Sequence, residues 1–144
     1  MIPTDMKMDK LNTLLNDIFH FNFGKFPNLE KILLWFPDYL QRFYNTYNSL
    51  MYGDGPLPIH LRFYIAIMAA ASHNSDYLIN RLALHFIRSG GDVVWLQKGT
   101  KIIPQKLRNL SEIIKIMGYT PWKIKSSTFF KVNIYSLSSI NFSE

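Results

Sequence analysis

Pro58-Ile59-His60-Leu61-Arg62-Phe63-Tyr64-Ile65-Ala66-Ile67-Met68-Ala69-Ala70-Ala71 decides the fold class. A proline can open a helix, because its missing N–H would have no intrahelical partner there. From Phe63 to Ala71 there is no polar face at all. A helix without a polar face is buried on most sides, so this is predicted to be the central helix. Ala66, Ala69, Ala70 and Ala71 are small enough to let neighbouring helices approach closely. The preceding Gly53-Asp54-Gly55-Pro56-Leu57-Pro58 holds two glycines and two prolines in six residues and reads as a turn.

Outward from this core the chain reads as helices separated by Gly and Pro. Upstream, Leu11, Leu14, Leu15 and Ile18 sit at helical spacing within about Thr4–Phe19. An aromatic, irregular stretch runs from Phe19 to Phe26. Asn28 is expected to cap a short helix over Leu29–Trp35. Pro37 then opens a helix whose stripe is Leu40, Phe43, Tyr44, Tyr47, Leu50 and Met51. Downstream, Ser75 or Asp76 is expected to cap a helix with Leu78, Ile79, Leu82, Phe86 and Ile87 inside, and Ser89-Gly90-Gly91-Asp92 ends it. Val93–Leu96 is a short apolar segment. Pro104 opens a last helix with Leu107, Leu110, Ile113, Ile114 and Met117 on one face and Gly118 as its stop. Three segments result: 1–27, an N-terminal helix with its aromatic linker; 28–125, the main helical domain; and 126–144, a tail with six serines and loose apolar alternation. The tail reads as a strand, a loose end or a divergent ending.

Composition narrows the function. The chain has 144 residues, 48% hydrophobic and 18% charged, which excludes an intrinsically disordered chain. There is no cysteine, which excludes a disulfide scaffold, a thiolate zinc site and a cysteine nucleophile. The longest wholly apolar run, Ile65–Ala71, is far short of the roughly 18 residues of a membrane span. The N-terminal residues lack an apolar signal-peptide core, so a protein of the cell interior, off the membrane, is expected.

Residues 1–72 carry six basic and six acidic side chains, and residues 73–144 carry ten and four. The net charge of +6 therefore lies entirely in the second half. A basic half points to a solvated face or to an acidic partner or nucleic acid. Lys98, Lys101, Lys106, Arg108, Lys115, Lys123, Lys125 and Lys131 are dispersed, with no run of three. That favours the solvated face and argues against nucleic acid.

The four histidines, His20, His60, His73 and His85, show no metal-binding spacing, so no metal is expected. His60 and His73 read as partly buried histidines in preference to catalytic bases. Gly90-Gly91 lacks the flanking motif of a phosphate loop and reads as a helix cap, so no cofactor is expected. Trp35, Trp95 and Trp122 read as core.

The segment from Asp54 to Trp122 resembles the sestrin family. The likeness lies in Asp54-Gly55-Pro56-Leu57-Pro58, in the basic and aromatic first helical turn, and in Ile65-Ala66-Ile67-Met68-Ala69-Ala70-Ala71. It continues through His73, Tyr77-Leu78, Asn80, Gly90-Gly91-Asp92, Trp95-Leu96, Pro104-Gln105-Lys106-Leu107, Asn109-Leu110 and Pro121-Trp122. Upstream, Pro37-Asp38-Tyr39-Leu40 is similar too. The resemblance runs from about Asn28 to Lys125, roughly two-thirds of the chain.

It implies an all-α domain like alkylhydroperoxidase D and carboxymuconolactone decarboxylase. It also implies a stress-induced protein of the cytoplasm, with the nucleus as a second compartment. In the family the N-terminal half, which this chain resembles, is associated with redox homeostasis and the response to reactive oxygen species. The other half binds leucine, serves the response to amino-acid starvation, and contacts the GATOR complex to restrain TOR complex one. GATOR-type regulators are thus the partners the resemblance implies, although the half that docks onto them is not the half this chain resembles.

The family's redox helix opens with a cysteine, followed by a tyrosine two residues later and a histidine seven residues later. These fall on Ser75, Tyr77 and Leu82, so only Tyr77 is kept. Peroxide reduction at such a site needs a thiolate that becomes a sulfenic acid. A serine hydroxyl cannot take that step, and Leu82 cannot relay a proton. His85, one turn beyond Leu82, could point the same way but has no thiol to activate. The expectation is a non-catalytic domain acting through protein contacts; an alkylhydroperoxidase-type oxidoreductase acting on peroxides is the alternative. Two apolar stretches, Phe19, Phe21, Phe23 and Phe26, and Phe129, Phe130, Tyr135 and Phe142 of the tail, are candidate sticky surfaces: either the chain self-associates, or the tail docks on the domain as a cover.

Overall fold

The computed structural model describes residues 8–127. The expectations for residues 1–7, and those for the tail from 128 onwards with Phe129, Phe130, Tyr135 and Phe142, lie outside the described residues. What is described is α-helical: α1 (Met8–Phe21), α2 (Asn28–Leu33), α3 (Pro37–Met51), α4 (Ile59–Ser72), α5 (Asp76–Arg88), α6 (Val93–Lys98) and α7 (Gln105–Tyr119). Short 3-10 turns follow α6 (Gly99–Lys101) and α7 (Pro121–Lys123). The all-α expectation holds. The chain divides into two compact units between Gly53 and Asp54, inside the Gly/Pro-rich turn.

In the first unit, Leu14 and Ile18 of α1 bury against Leu40 and Tyr44 of α3, with Phe21, Phe26, Leu33 and Leu34 packed around them. Phe21 stands edge-on to Tyr44 and to Tyr52. Two of the four aromatics expected to form a bare patch thus belong to this core, while Phe19 is exposed. Helix α1 runs on to Phe21 and closes with Phe23 at φ 57, its N–H donating to the His20 carbonyl and that of Gly24 to Phe19. Asn28 does not cap α2. Pro27 holds the capping position in extended backbone, and Asn28 is the first helical residue. Pro37 opens α3 as expected, but Leu50 points to solvent.

In the second unit α4 lies between α5 and α7. Leu61, Phe63, Tyr64, Ile67 and Ala70 of α4 are buried, while Ala71 is exposed. From α5 come Leu82, His85 and Phe86; Ile103 leads into α7, which adds Leu107 and Ile113. Fully burying rings such as Phe63 and Phe86 stabilises by roughly 1.5–3 kcal/mol each. Tyr64, Phe86 and Trp95 join α4, α5 and α6 in a ring cluster with centroids 5.2–6.2 Å apart. Leu78 and Ile87 of α5 and Met117 of α7 are exposed, contrary to expectation. Helix α7 also runs through Gly118 to Tyr119. The glycine is not a stop but a gap: a Cβ there would lie 2.8 Å from His73 Nε2.

Candidate functional site

The residues singled out from the sequence cluster where α4 passes into α5. Helix α4 ends with a six-to-one bond from the Ser75 N–H to the Ala70 carbonyl and an inner bond from Asn74 to Ala71. Asn74 takes the left-handed conformation at φ 53, which asparagine tolerates better than most residues. The next residue, Ser75, is therefore held twice. It finishes the cap of α4 and occupies the capping position of α5, where its carbonyl accepts the Ile79 N–H at 3.0 Å.

Its hydroxyl makes no capping bond to α5. The backbone there has ψ 83°, short of the extended range in which an N-cap oxygen faces the second and third amides. The capping position was legible in the sequence; the capping bond is not formed. The contrast is Asp92, whose carboxylate accepts the Val94 N–H at 2.8 Å and caps α6.

The three positions matched to a redox site diverge in their surroundings. Ser75 is half-buried, Tyr77 is 46% exposed, and Leu82 is only 7% exposed. Five residues along a helix turn the side chain by about 140°, which is why Tyr77 looks outward and Leu82 inward. The Tyr77 phenol and the Leu82 side chain therefore do not face one site.

The imidazole of His85 lies on Leu82's buried face. It is 5% exposed and stacked on Phe63 at 5.1 Å and 18°. Burial, together with the guanidinium groups of Arg81 and Arg88, pushes its pKa down to about 4. His85 is therefore a neutral core ring at physiological pH. The α5 stripe read from the sequence left it out because it counted only apolar residues. Burial also lowers the His60 pKa. His73 is exposed and packs its ring 5.4 Å from Tyr119, whose hydroxyl donates to the Ser72 carbonyl.

Gly90 and Gly91 form the helix cap expected of them. The Gly91 N–H donates to Phe86 and that of Gly90 to Ile87, with Gly90 at φ 91. Trp95 is half-buried in the ring cluster, but Trp35 and Trp122 are 82% and 77% exposed and belong to no core. Among the described residues no three His, Asp or Glu side chains are grouped to hold a metal ion. No described helix is long and apolar enough to cross a membrane. The first unit carries a shallow groove of about 230 Å³ lined by Lys10, Thr13, Leu14, Asp17 and Gln41, a feature with no motif in the sequence.

Comparison with known proteins adds what geometry alone does not. The family model described as PA26 p53-induced protein (sestrin) matches residues 1–140. Sestrin-1 of Mus musculus is 44% identical over 101 residues, covering 70% of this chain and 20% of that protein. The sestrin homolog of Dictyostelium discoideum is 41% identical over 129 residues, covering 85% and 21%. That of Drosophila melanogaster is 35% identical over 141 residues, covering 95% and 26%. The chain thus spans about a fifth to a quarter of the length of these curated relatives.

Proposed function

The chain belongs to the sestrin family, and on that premise we propose that it is a stress-response protein acting through protein–protein contacts and not through catalysis. The observation that carries this reading is the chemistry of the α5 entrance. Where the family places a redox cysteine and its histidine, this chain has Ser75 and Leu82, and no cysteine occurs anywhere in its 144 residues. The placement of these side chains supports the same reading: an outward Tyr77, a core Leu82, and a neutral His85 stacked in the core. Nothing there could form a thiolate or carry its oxidation.

The role we assign it is in redox homeostasis and in restraint of TOR complex one through protein contacts, in the cytoplasm and also the nucleus; by the resemblance, docking onto GATOR-type regulators belongs to the family's other half. In cells lacking their own sestrins, expressing the chain is expected to lower phosphorylation of TOR complex one substrates under stress. Ser75→Ala is expected to act as well as the wild type. An effect abolished by Ser75→Ala would contradict a contact mechanism that makes no use of this hydroxyl. No effect of the wild type would contradict the TOR role.

A further inference from the structure

The second unit carries the whole charge excess. Residues 8–53 have four basic and four acidic side chains, while residues 54–127 have ten and four. The excess coincides with the most exposed large apolar side chains among the described residues of the second unit, at the end of α7 and the turn that follows. From Ile113 to Ser127 there are three lysines, Lys115, Lys123 and Lys125, all exposed, and no acid. The nearest acid is Glu112, one turn before Lys115. Between these lysines stand Met117, Tyr119 and Trp122, which are 56%, 56% and 77% exposed.

These three are not the buried stripe of α7, which Leu107 and Ile113 form. The Tyr119 ring is held in place, and the backbone beneath Trp122 is ordered. Tyr119 is fixed by its hydroxyl on the Ser72 carbonyl and by its packing on His73. Trp122 sits in the 3-10 turn closed by the Lys123 N–H on Thr120 and that of Ile124 on Pro121. An aromatic already fixed like Tyr119, and one on an ordered turn like Trp122, lose less freedom on binding than side chains on a mobile loop, which suits them as anchors at an interface.

We propose that this face docks an acidic polypeptide segment. Its carboxylates would pair with Lys115 and Lys123, and an apolar side chain would lie against Trp122 and Tyr119. The chemistry favours a polypeptide over the other anionic surfaces. Tyr and Trp are residues that protein interfaces concentrate, whereas Met117, two residues from both Lys115 and Tyr119, lies on the opposite side of α7. Phosphate readers lean on the forked guanidinium of arginine, and this segment has none. A membrane-surface helix needs a free apolar face, and that of α7 is buried in its own unit. The proposal deepens the contact reading, on which it rests, by naming the surface and the class of partner.

The test uses the full 144-residue chain and a fluorescently labelled twelve-residue peptide alternating Glu with Leu and Phe, followed by anisotropy at low ionic strength. Saturable binding is expected, weakening several-fold as salt rises from about 20 to 200 mM. Trp122→Ala and the pair Lys115→Glu with Lys123→Glu are each expected to weaken it at least tenfold. Trp35→Ala, an equally exposed tryptophan of the first unit, should leave it within twofold. The milder pair Lys115→Ala with Lys123→Ala covers the case in which charge reversal disturbs folding. Equal binding of the peptide with Gln for Glu would overturn the proposal, as would indifference to Trp122 and both lysines. Tighter binding to an oligouridylate or to phosphatidylserine vesicles than to the peptide would overturn it too. Each of these failures leaves the non-catalytic reading standing, because that reading falls to peroxide turnover or to loss of the effect on Ser75→Ala, neither of which this binding assay reads.

Discussion

Acidification should destabilise the second unit through His85, by an amount the structure allows to be worked out. The ring is buried, stacked on Phe63, and has its pKa pushed down to about 4 by burial and by Arg81 and Arg88. In the unfolded chain it returns to about 6.5. A lowered folded pKa means the unfolded state binds more protons between these two values. The contribution is therefore complete above about pH 6.5 and is lost as pH falls towards 4. The full difference of about 2.5 units corresponds to roughly 3 kcal/mol, and at pH 5 about 2 kcal/mol of it is already gone. That is a sizeable fraction of a typical domain's 5–15 kcal/mol.

Urea denaturation at pH 7 and pH 5 measures the loss, and His85→Phe removes the titrating ring while keeping an aromatic against Phe63. The variant should lose about 2 kcal/mol less than the wild type between the two pH values. His60, whose pKa is also lowered, contributes with the same sign and remains in both proteins, so it cancels in the comparison. Equal pH dependence of the two proteins, or an imidazole titrating near 6.5 by NMR, would refute the assignment of His85 as a neutral core ring.

Three further outcomes follow from packing. Ile67→Asp puts a carboxylate into the centre of α4, where burial without a partner costs several kcal/mol, so circular dichroism should show a large loss of helix; a cooperative melt near the wild-type temperature would contradict it. Gly91→Ala would set its Cβ 2.3 Å from the fully buried ring of Phe86, which has no room to retreat, and thermal melts should register a loss of about 1–3 kcal/mol. Gly118→Ala crowds chiefly the outer edge of the exposed His73, with Ser72 Oγ at an ordinary 3.7 Å; in a His73→Ala background it should stabilise by roughly 0.5 kcal/mol through helix propensity, less than the interior value because Gly118 is next to the end of α7, and by less still in the wild type.

The helices were legible because their boundaries are chemical. Pro37, Pro58 and Pro104 fix where chains can enter a helix, and Gly90 marks where α5 must leave one. The faces were less legible. Leu50, Leu78, Ile87 and Met117 sit at positions compatible with an apolar stripe yet face solvent, because which arc is covered depends on the neighbouring helix and not on the helix itself. Trp35 and Trp122 mislead for a related reason: hydrophobicity does not say whether a ring is kept for the core or for a partner. The end of α1 was misplaced because Phe23, a residue with no glycine-like freedom, takes the left-handed turn. At the site, the capping position of Ser75 could be read from its neighbours, but its missing bond depends on a backbone angle that Asn74 and the cap of α4 impose. The buried state of His85 required knowing that Phe63 of α4 would lie against it.

The central claim is that this chain works without redox catalysis. The most direct measurement is thiol-dependent consumption of an alkyl hydroperoxide by the purified 144-residue protein. The account predicts a rate equal to the no-protein control, because no residue of the chain can form the thiolate and sulfenic acid such turnover needs. A saturable rate above that control, proportional to protein concentration, would contradict it.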